Sequence, residues 1–461
     1  MSVISVMLAA VQVAIFAACA SAAAPPGCDS ACQDAYNQGR ATDASFWVHP
    51  NVTLDPFYAT PDNFSDYAVG DLVKWEDIAA DAVATNWWVP SGLSLSRFFY
   101  VSEDIDESPL PATGYAIIPY QNPLGPDKPF RLAVWAHGTA GFTPQCAPSN
   151  NKGLQYNFQA PFALAQQGYV VIAPDYAGQG STIPQGFMYN AGILHAADVS
   201  LAVEAARKNF QSSITHEWVV VGHSEGGLTA WRTAQREADP RKSAGGLIGA
   251  VAIAPAMEVM SLVPWVLERA NGGPLHEVFL PYMLRSIGRL FPSIDLTKYV
   301  TERVLGLVDL SYGGCLNAAV PLLYNLNAND MYLNNANFPS APEVRDWTAK
   351  YHGEGAHALG GPLLVMHGET DFILPHDHIE RIFDKQCEAF PDSEAQYLLL
   401  PGLDHDGAVQ ASHSNYFPWI ADRFDGKAVN RGCTKTTVTV ATDRFATVEQ
   451  VWTSGGQMLV Q

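Results

Sequence analysis

The strongest constraint on how this chain folds is the passage over residues 217–232, Glu-Trp-Val-Val-Val-Gly-His-Ser-Glu-Gly-Gly-Leu-Thr-Ala-Trp-Arg. The apolar run at 218–221 predicts a buried strand, and the small residues after Ser224 predict a helix start, so strand must become helix within a Gly-x-Ser-x-Gly bend. Such a bend strains the backbone of its serine and stands the hydroxyl proud at the carboxyl end of the strand. Gly222 and Gly226 flank it because a side chain two residues away collides across so sharp a turn. The following helix starts at the serine, so its positive end and the N–H of Glu225 point where an oxyanion would form. Ser224 is therefore a nucleophile candidate and Glu225 an oxyanion donor. Glycine is common here, at 37 residues, and the five-residue pattern arises by chance in such chains. Chance does not also supply the Val-Val-Val strand before it and the small-residue helix after it.

The rest of the chain supplies a frame for that turn. Residues 25–90, rich in Asp, Pro, Asn and aromatics, show no sustained period and are expected to form an irregular lead-in packed on the domain surface. Residues 97–101 and 113–118 predict the first strands, and 132–135 a short apolar strand ending in Ala136-His137-Gly138-Thr139-Ala140-Gly141. A glycine-rich loop leaving a strand is where the other oxyanion donor sits in this kind of architecture, which points to the N–H of Thr139; the bland reading is a tight turn. Strands follow at 169–173, 250–254, 363–366 and 397–400, and Leu194, Ala197, Leu201 and Ala205 have the spacing of a helix laying one face on a sheet. Alternating strands and helices imply a parallel sheet buried on both faces, with chemistry at its carboxyl edge. The alternation stops from 257 to about 359, where large apolar residues are broken by Pro274, Pro281 and Pro292. A structureless loop of that length is improbable, so a mostly helical cap is expected, its apolar faces packing on the sheet or lining an acyl-chain site. A terminal helix is expected at 416–424, then an added strand or hairpin at 434–440.

A serine nucleophile needs a base to take its proton and an acid to orient that base. Asp371 and His405 each follow a strand end, so both can converge on Ser224, in the chain order of the α/β-hydrolases. Of 13 histidines, His405 is the one in the loop that directly leaves the 397–400 strand, with only His413 further on. His137, His223 and His367 are expected to be structural. Asp404 and Asp406 flank His405 and compete with Asp371, but neighbouring side chains on a loop usually diverge; Glu369 is a weaker substitute.

Composition restricts the partner. A formal charge of −20 opposes nucleic acid, while a neutral ester or lipid is not repelled. The first 24 residues are apolar and uncharged and end in Ala-Cys-Ala-Ser-Ala-Ala-Ala, which reads as a secretory signal peptide cleaved after Ala20 or Ala22. An apolar run of about sixteen residues is short for a span, which takes roughly 20, and no later stretch is long enough, so no transmembrane segment is expected in the mature chain. Its removal leaves Cys28, Cys32, Cys146, Cys315, Cys387 and Cys433, an even number that suggests disulfides in a secreted protein. Only Cys28 and Cys32 are near each other and no histidine accompanies them, so neither metal nor cofactor is expected. Two sequons, at Asn51 and Asn63, would be glycosylated in a eukaryotic host.

With Asp55-Pro56-Phe57-Tyr58, Gly70-Asp71-Leu72, Cys146-Ala147-Pro148-Ser149, the Ser224 turn, the long cap and the Asp371 and His405 loops, the chain resembles the secretory lipase family of fungal type over most of its mature length. That resemblance implies a cap-bearing α/β-hydrolase fold with a mostly parallel sheet and cleavage of triacylglycerols or other esters, met in solution or at a lipid–water interface. It also implies disulfides Cys146–Cys315 and Cys387–Cys433, which leave Cys28 to pair with Cys32, and a C-terminal flap near the site entrance. The expected divisions are a leader over 1–24, core over 25–255, cap over 256–360, core over 361–426 and a C-terminal extension over 427–461. His223 and Glu225 stand where family members commonly carry Tyr and Gly or Gln, a departure that bears on chain-length preference rather than on the reaction. The rivals are a serine peptidase or small-ester carboxylesterase of the same fold and a non-catalytic binding protein; the last would usually lose the serine or histidine retained here.

Overall fold

The computed structural model describes residues 28–331 and 337–441, together with the short paired segments Thr453–Ser454 and Gln457–Met458. The expected leader and the later part of the expected flap lie outside the described residues.

Among the described residues ten strands form one sheet: β1 (Leu72–Asp77), β2 (Leu93–Glu103), β3 (Pro109–Pro119), β4 (Phe130–Ala136), β5 (Val170–Pro174), β6 (Ile214–His223), β7 (Leu247–Ile253), β8 (Leu363–Gly368), β9 (Glu394–Leu400) and β10 (Gly432–Thr437). Their order is β1-β2-β3-β5-β4-β6-β7-β8-β9-β10. The first three are antiparallel to their neighbours, and every pair from β5 to β10 is parallel. In β6, Trp218 and Val220 enter one apolar cluster while Val219 and Val221 enter another. This two-residue alternation between two buried faces is why the strand reads as an unbroken apolar run. Helices Gly192–Phe210 and Glu225–Arg236 cover the first face, and Pro161–Gln166 with His413–Phe424 cover the second. The sheet with helices on both faces is an α/β-hydrolase fold.

Between β7 and β8 the chain leaves the sheet and builds helices, among them Val263–Ala270, Phe279–Leu290, Glu302–Ser311 and Leu316–Leu323. Tyr282, Leu307, Leu323 and Trp347 of this region belong to the same apolar cluster as Leu194 and Val220. The helical region therefore packs on the sheet domain through one continuous core. Among the described residues no helix is long and apolar enough to cross a membrane.

The lead-in departs from the expectation of irregular chain. It holds a helix, Ser30–Phe46, and the edge strand β1. The helix buries only Tyr36, Asp43 and Phe46, so no apolar stripe announces it. It is fixed by docking on Leu316–Leu323: Gly39 has no room for a Cβ against the Asn317 backbone. Asp43 accepts from the backbone amides of Cys315, Asn317 and Ala318 at 2.6, 3.2 and 3.0 Å, satisfying donors that a helix start leaves free. Strand β1 is only half-buried and held by its ladder to β2.

The two distinctive motifs brace this lead-in. Asp55 pairs with Arg97 at 2.8 Å, and that guanidinium lies 4.2 Å from the Phe57 ring centroid. Ser149 donates from its amide and hydroxyl to the buried Asp175 at 2.8 and 2.6 Å, and Tyr58 Oη lies 2.8 Å from Ser149 Oγ. Among the described residues three disulfides are present, Cys28–Cys32, Cys146–Cys315 and Cys387–Cys433; the second joins the loop after β4 to the helical region, the third joins helix His376–Ala389 to β10. Asn51 and Asn63 are exposed.

Candidate active site

At the end of β6, Ser224 has φ 59° and ψ −120°, and the helix Glu225–Arg236 begins at the next residue. This conformation lies outside the comfortable regions for a residue with a side chain. It is held by hydrogen bonds on both sides: Ser224 N donates to Ile253 O at 2.9 Å, and its carbonyl accepts from Leu228 N and Ala256 N at 3.0 and 3.1 Å. The glycines are required for contact reasons. A Cβ on Gly222 would run into the Gly226 carbonyl, and one on Gly226 into the Ala136 carbonyl at the end of β4.

The loop after β4 approaches the serine as closely. A Cβ on Gly138 would sit 3.3 Å from Ser224 Cβ and collide with the Tyr156 hydroxyl. Thr139 follows, buried, with its hydroxyl 2.8 Å from Tyr189 Oη. Neither the Thr139 nor the Glu225 backbone amide donates to a protein acceptor among the described hydrogen bonds. His137 lies beneath the loop, stacked 4.2 Å from Tyr176, and burial lowers its pKa to about 4.

The loops after β8 and β9 are clasped by Glu369 N to Leu400 O and Thr370 N to Leu403 O, each 3.0 Å, an approach that leaves no room for a side chain on Gly368. The clasp brings Asp371 to His405. His405 Nδ1 lies 2.7 Å from Asp371 Oδ2, and both side chains are buried. The other carboxylate oxygen accepts from the amides of Ile373 and Leu374, each at 2.9 Å. Burial pushes the Asp371 pKa upward, but His405 and His367 outweigh it and hold the group well below the ordinary carboxylate range. For His405 burial pulls downward, and the Asp371 carboxylate beside it outweighs that, leaving the imidazole above its ordinary pKa. None of the competing acids bonds to the His405 ring among the described hydrogen bonds. Asp404 caps its helix through Gly407 N at 2.7 Å, Glu369 accepts from Gly402 N at 3.0 Å, and Asp406 has no partner among the described hydrogen bonds.

His223 links this pair to the serine turn. Its Nε2 lies 2.9 Å from the His405 carbonyl, its Nδ1 lies 3.0 Å from Tyr156 Oη, and the His223 and His405 rings are 4.7 Å apart. Burial lowers the pKa of His223 to about 3, so the ring is neutral and donates from Nε2. His405 is thus tied to the residue that precedes Ser224. No Ser224 Oγ to His405 hydrogen bond is among those described, as is common for such pairs without substrate.

Ser224 opens on a pocket whose walls are mainly apolar and include Val259, Val263, Val266, Phe279 and Met283. Glu277 also lines it, but its carboxylate accepts from Phe279 N and Leu280 N, at 2.5 and 2.9 Å. Tyr189 and Asn190 line the same cavity and were not among the residues expected from sequence. They follow β5 in a long aperiodic stretch, and the one usable signal is that loops at the carboxyl edge of such a sheet border the site. Glu225, directly after the serine, is fully buried and accepts from Asn190 N at 2.9 Å. Burial pushes its pKa to about 8, and His195, 3.7 Å away, is lowered by burial to about 3. Their approach is therefore one of two neutral groups at pH 7.

Comparison with known proteins agrees with this architecture. A family model described as serine aminopeptidase, S33, matches residues 158–407. The chain is 24% identical over 403 residues to a secreted triacylglycerol lipase, LIP2, of Malassezia globosa, covering 83% of this chain and 84% of that protein. It is 24% identical over 422 residues to Lipase 1 of Candida albicans, covering 83% of each. Among solved structures, Candida antarctica lipase A in its closed state superposes with a TM-score of 0.66 at 16% identity, covering 87% of this chain and 94% of the lipase. The rice cell wall degrading esterase LipA of Xanthomonas oryzae superposes with a TM-score of 0.58 at 16% identity, covering 78% and 100%. The chain belongs to the serine aminopeptidase S33 family and is a carboxylic-ester hydrolase of the fungal secretory-lipase type.

Proposed function

We propose that this protein is a secreted serine hydrolase that cleaves lipid esters, triacylglycerols foremost, through Ser224, His405 and Asp371. The observation that carries the reading is the buried His405–Asp371 pair, 2.7 Å apart and tied through His223 to the strained Ser224 turn at the mouth of an apolar cavity. Asp371 holds the Nδ1–H tautomer of His405, which leaves Nε2 free to take the Ser224 proton. Ser224 Oγ attacks the ester carbonyl, and the oxyanion that forms is met by the backbone amides of Thr139 and Glu225. His405 then returns the proton to the leaving alcohol. Water, deprotonated by the same imidazole, hydrolyses the acyl-enzyme.

The cavity walls favour the acyl chain as the group bound beside Ser224, since each buried methylene contributes about 0.8 kcal/mol. The helical region over 256–360 acts as a cap that supplies these walls, set between core segments 25–255 and 361–426 and followed by the extension 427–461. Secretion is supported by the apolar leader and by three disulfides, which persist in oxidising compartments; glycans on the exposed Asn51 and Asn63 belong to the same reading. The family description raises a peptidase instead. A free amino terminus would need an unengaged acid, and both oxygens of Glu277 face backbone amides of its own turn.

Purified protein tested on p-nitrophenyl esters, emulsified triacylglycerols and aminoacyl anilides separates the two. Turnover of the esters with none of the anilides is expected, and the reverse would overturn the proposal.

A further inference from the structure

We propose that Tyr189 is a positioning residue that turns the Thr139 hydroxyl into a third donor for the oxyanion, beside the amides of Thr139 and Glu225. The inference rests on the reaction proposed above and adds two side chains to it.

Thr139 Oγ1 and Tyr189 Oη are 2.8 Å apart, both groups are buried, and Tyr189 lines the cavity onto which Ser224 opens. A phenol is a stronger acid than an alcohol, so the phenolic proton lies toward Thr139 Oγ1 and the threonine keeps its own proton to give elsewhere. Thr139 Oγ1 has no second protein partner among the described hydrogen bonds. When negative charge forms on the substrate oxygen, a chain running from Tyr189 O–H through Thr139 O–H to the oxyanion polarises along its length and strengthens each bond.

The placement of Tyr189 argues that this contact is fixed. Its backbone amide donates to Ser286 Oγ of the cap helix at 3.2 Å. The next residue, Asn190, donates from its amide to Glu225 Oε1, and its carbonyl lies 2.9 Å from His352 Nδ1. The Tyr189 ring packs edge-on to Phe142 and beside Phe279. One short segment thus touches Thr139, the residue after Ser224, and the cap.

The test is a double-mutant cycle with a short soluble p-nitrophenyl ester, using Thr139→Val, Thr139→Ser, Tyr189→Phe and the Tyr189→Phe/Thr139→Val pair. Removing one oxyanion donor typically costs about 100-fold or more in kcat, so Thr139→Val should fall by roughly that factor with KM little changed. Thr139→Ser keeps the hydroxyl and should lose no more than about fourfold, since only a methyl is lost. Tyr189→Phe should lower kcat by about fivefold, the worth of one neutral hydrogen bond. The double variant should be no slower than Thr139→Val alone, because Tyr189 acts only through that hydroxyl.

A boronic acid forming a tetrahedral adduct should bind Tyr189→Phe more weakly by the same factor as kcat falls, a change that loosened packing alone would not match. Wild-type kcat in Thr139→Val, or an equal loss from Tyr189→Phe with and without the threonine hydroxyl, overturns the inference. Labelling of the wild-type protein by a fluorophosphonate at Ser224 is run alongside. If labelling fails, the proposed reaction falls; if it succeeds and the cycle is additive, only the role of Tyr189 and the Thr139 hydroxyl falls.

Discussion

Replacing Asp371 by Asn tests which of three nearby carboxylates orients the histidine. Asp371 Oδ2 accepts from His405 Nδ1 at 2.7 Å, and Oδ1 accepts from Ile373 N and Leu374 N. An asparagine keeps its carbonyl oxygen on the two backbone amides, which turns its NH₂ toward His405. Two donors then face each other, so the imidazole must carry its proton on Nε2 and cannot accept one from Ser224. The wrong tautomer in a buried triad costs about 10⁴ in kcat, or about 5 kcal/mol of barrier. The same substitution removes the largest charge opposing burial at His405, so the imidazole pKa should drop from above its ordinary 6.5 toward or below it. In the wild type kcat/KM should rise with pH through that elevated pKa, because only the neutral ring is a base. In Asp371→Asn the residual activity should rise at lower pH. Asp404→Asn and Asp406→Asn serve as controls and should keep kcat within about tenfold, because neither carboxylate bonds to the His405 ring. Pre-steady-state and steady-state rates of p-nitrophenyl ester hydrolysis from pH 5 to 9 give both quantities. If Asp371→Asn keeps more than a tenth of wild-type kcat, or if either control loses more than it does, the assignment of the acid is wrong.

Other expectations follow from single features of the structure. Asp406 is buried and burial pushes its pKa to about 8, against about 3.9 in an unfolded chain. The folded protein keeps a proton that the unfolded chain releases, so this contribution is whole below about pH 4 and is lost progressively up to about pH 8, on the order of 5 kcal/mol in all. Asp406→Asn should therefore be more stable than wild type in urea at pH 8 and close to it at pH 4; an equal difference at both would contradict the burial argument. Cys146–Cys315 spans 169 residues, so Cys146→Ser/Cys315→Ser should lose about 5 kcal/mol by loop entropy, whereas loss of Cys28–Cys32, closing 4, should cost about 2 kcal/mol; similar melting temperatures for both deletions would count against this. For p-nitrophenyl esters, kcat/KM should climb up to about fourfold per methylene while the apolar cavity fills. Val263→Trp, at a cavity wall, should end that climb at a shorter chain, and an unchanged series would place the acyl group elsewhere.

How much of this was legible in the sequence depends on burial. Strands such as Trp218 to Val221, Leu132 to Trp135 and Leu363 to Met366 are enclosed on both faces, so their apolar runs announced both element and layer. The Ser224 turn was legible because strand, bend and helix start follow one another in sequence and Gly222 answers to the Gly226 carbonyl four residues on, although Gly226 itself answers to Ala136 at the end of β4. The helix Ser30–Phe46 was not, since Gly39 and Asp43 act on partners some 270 residues distant and leave no stripe. Strand β1 lies at an edge, half-buried, and carries a weak pattern for that reason. Sequence could not rank Asp371 over Asp404 and Asp406 except by position, whereas the distance to His405 Nδ1 does so directly. Tyr189 had no signature beyond its place in a loop at the carboxyl edge of the sheet: its meaning comes from Thr139 and Ser286, which other parts of the chain bring to it.

The most direct test of the central claim is covalent capture of the nucleophile. A fluorophosphonate probe incubated with the folded protein at pH 8, followed by proteolysis and mass spectrometry, should add one phosphonyl group to the peptide bearing Ser224. His405→Ala should slow that addition by several orders of magnitude, because its base is gone. Modification of a different residue, or labelling of Ser224 at an unchanged rate without the histidine, would contradict the account.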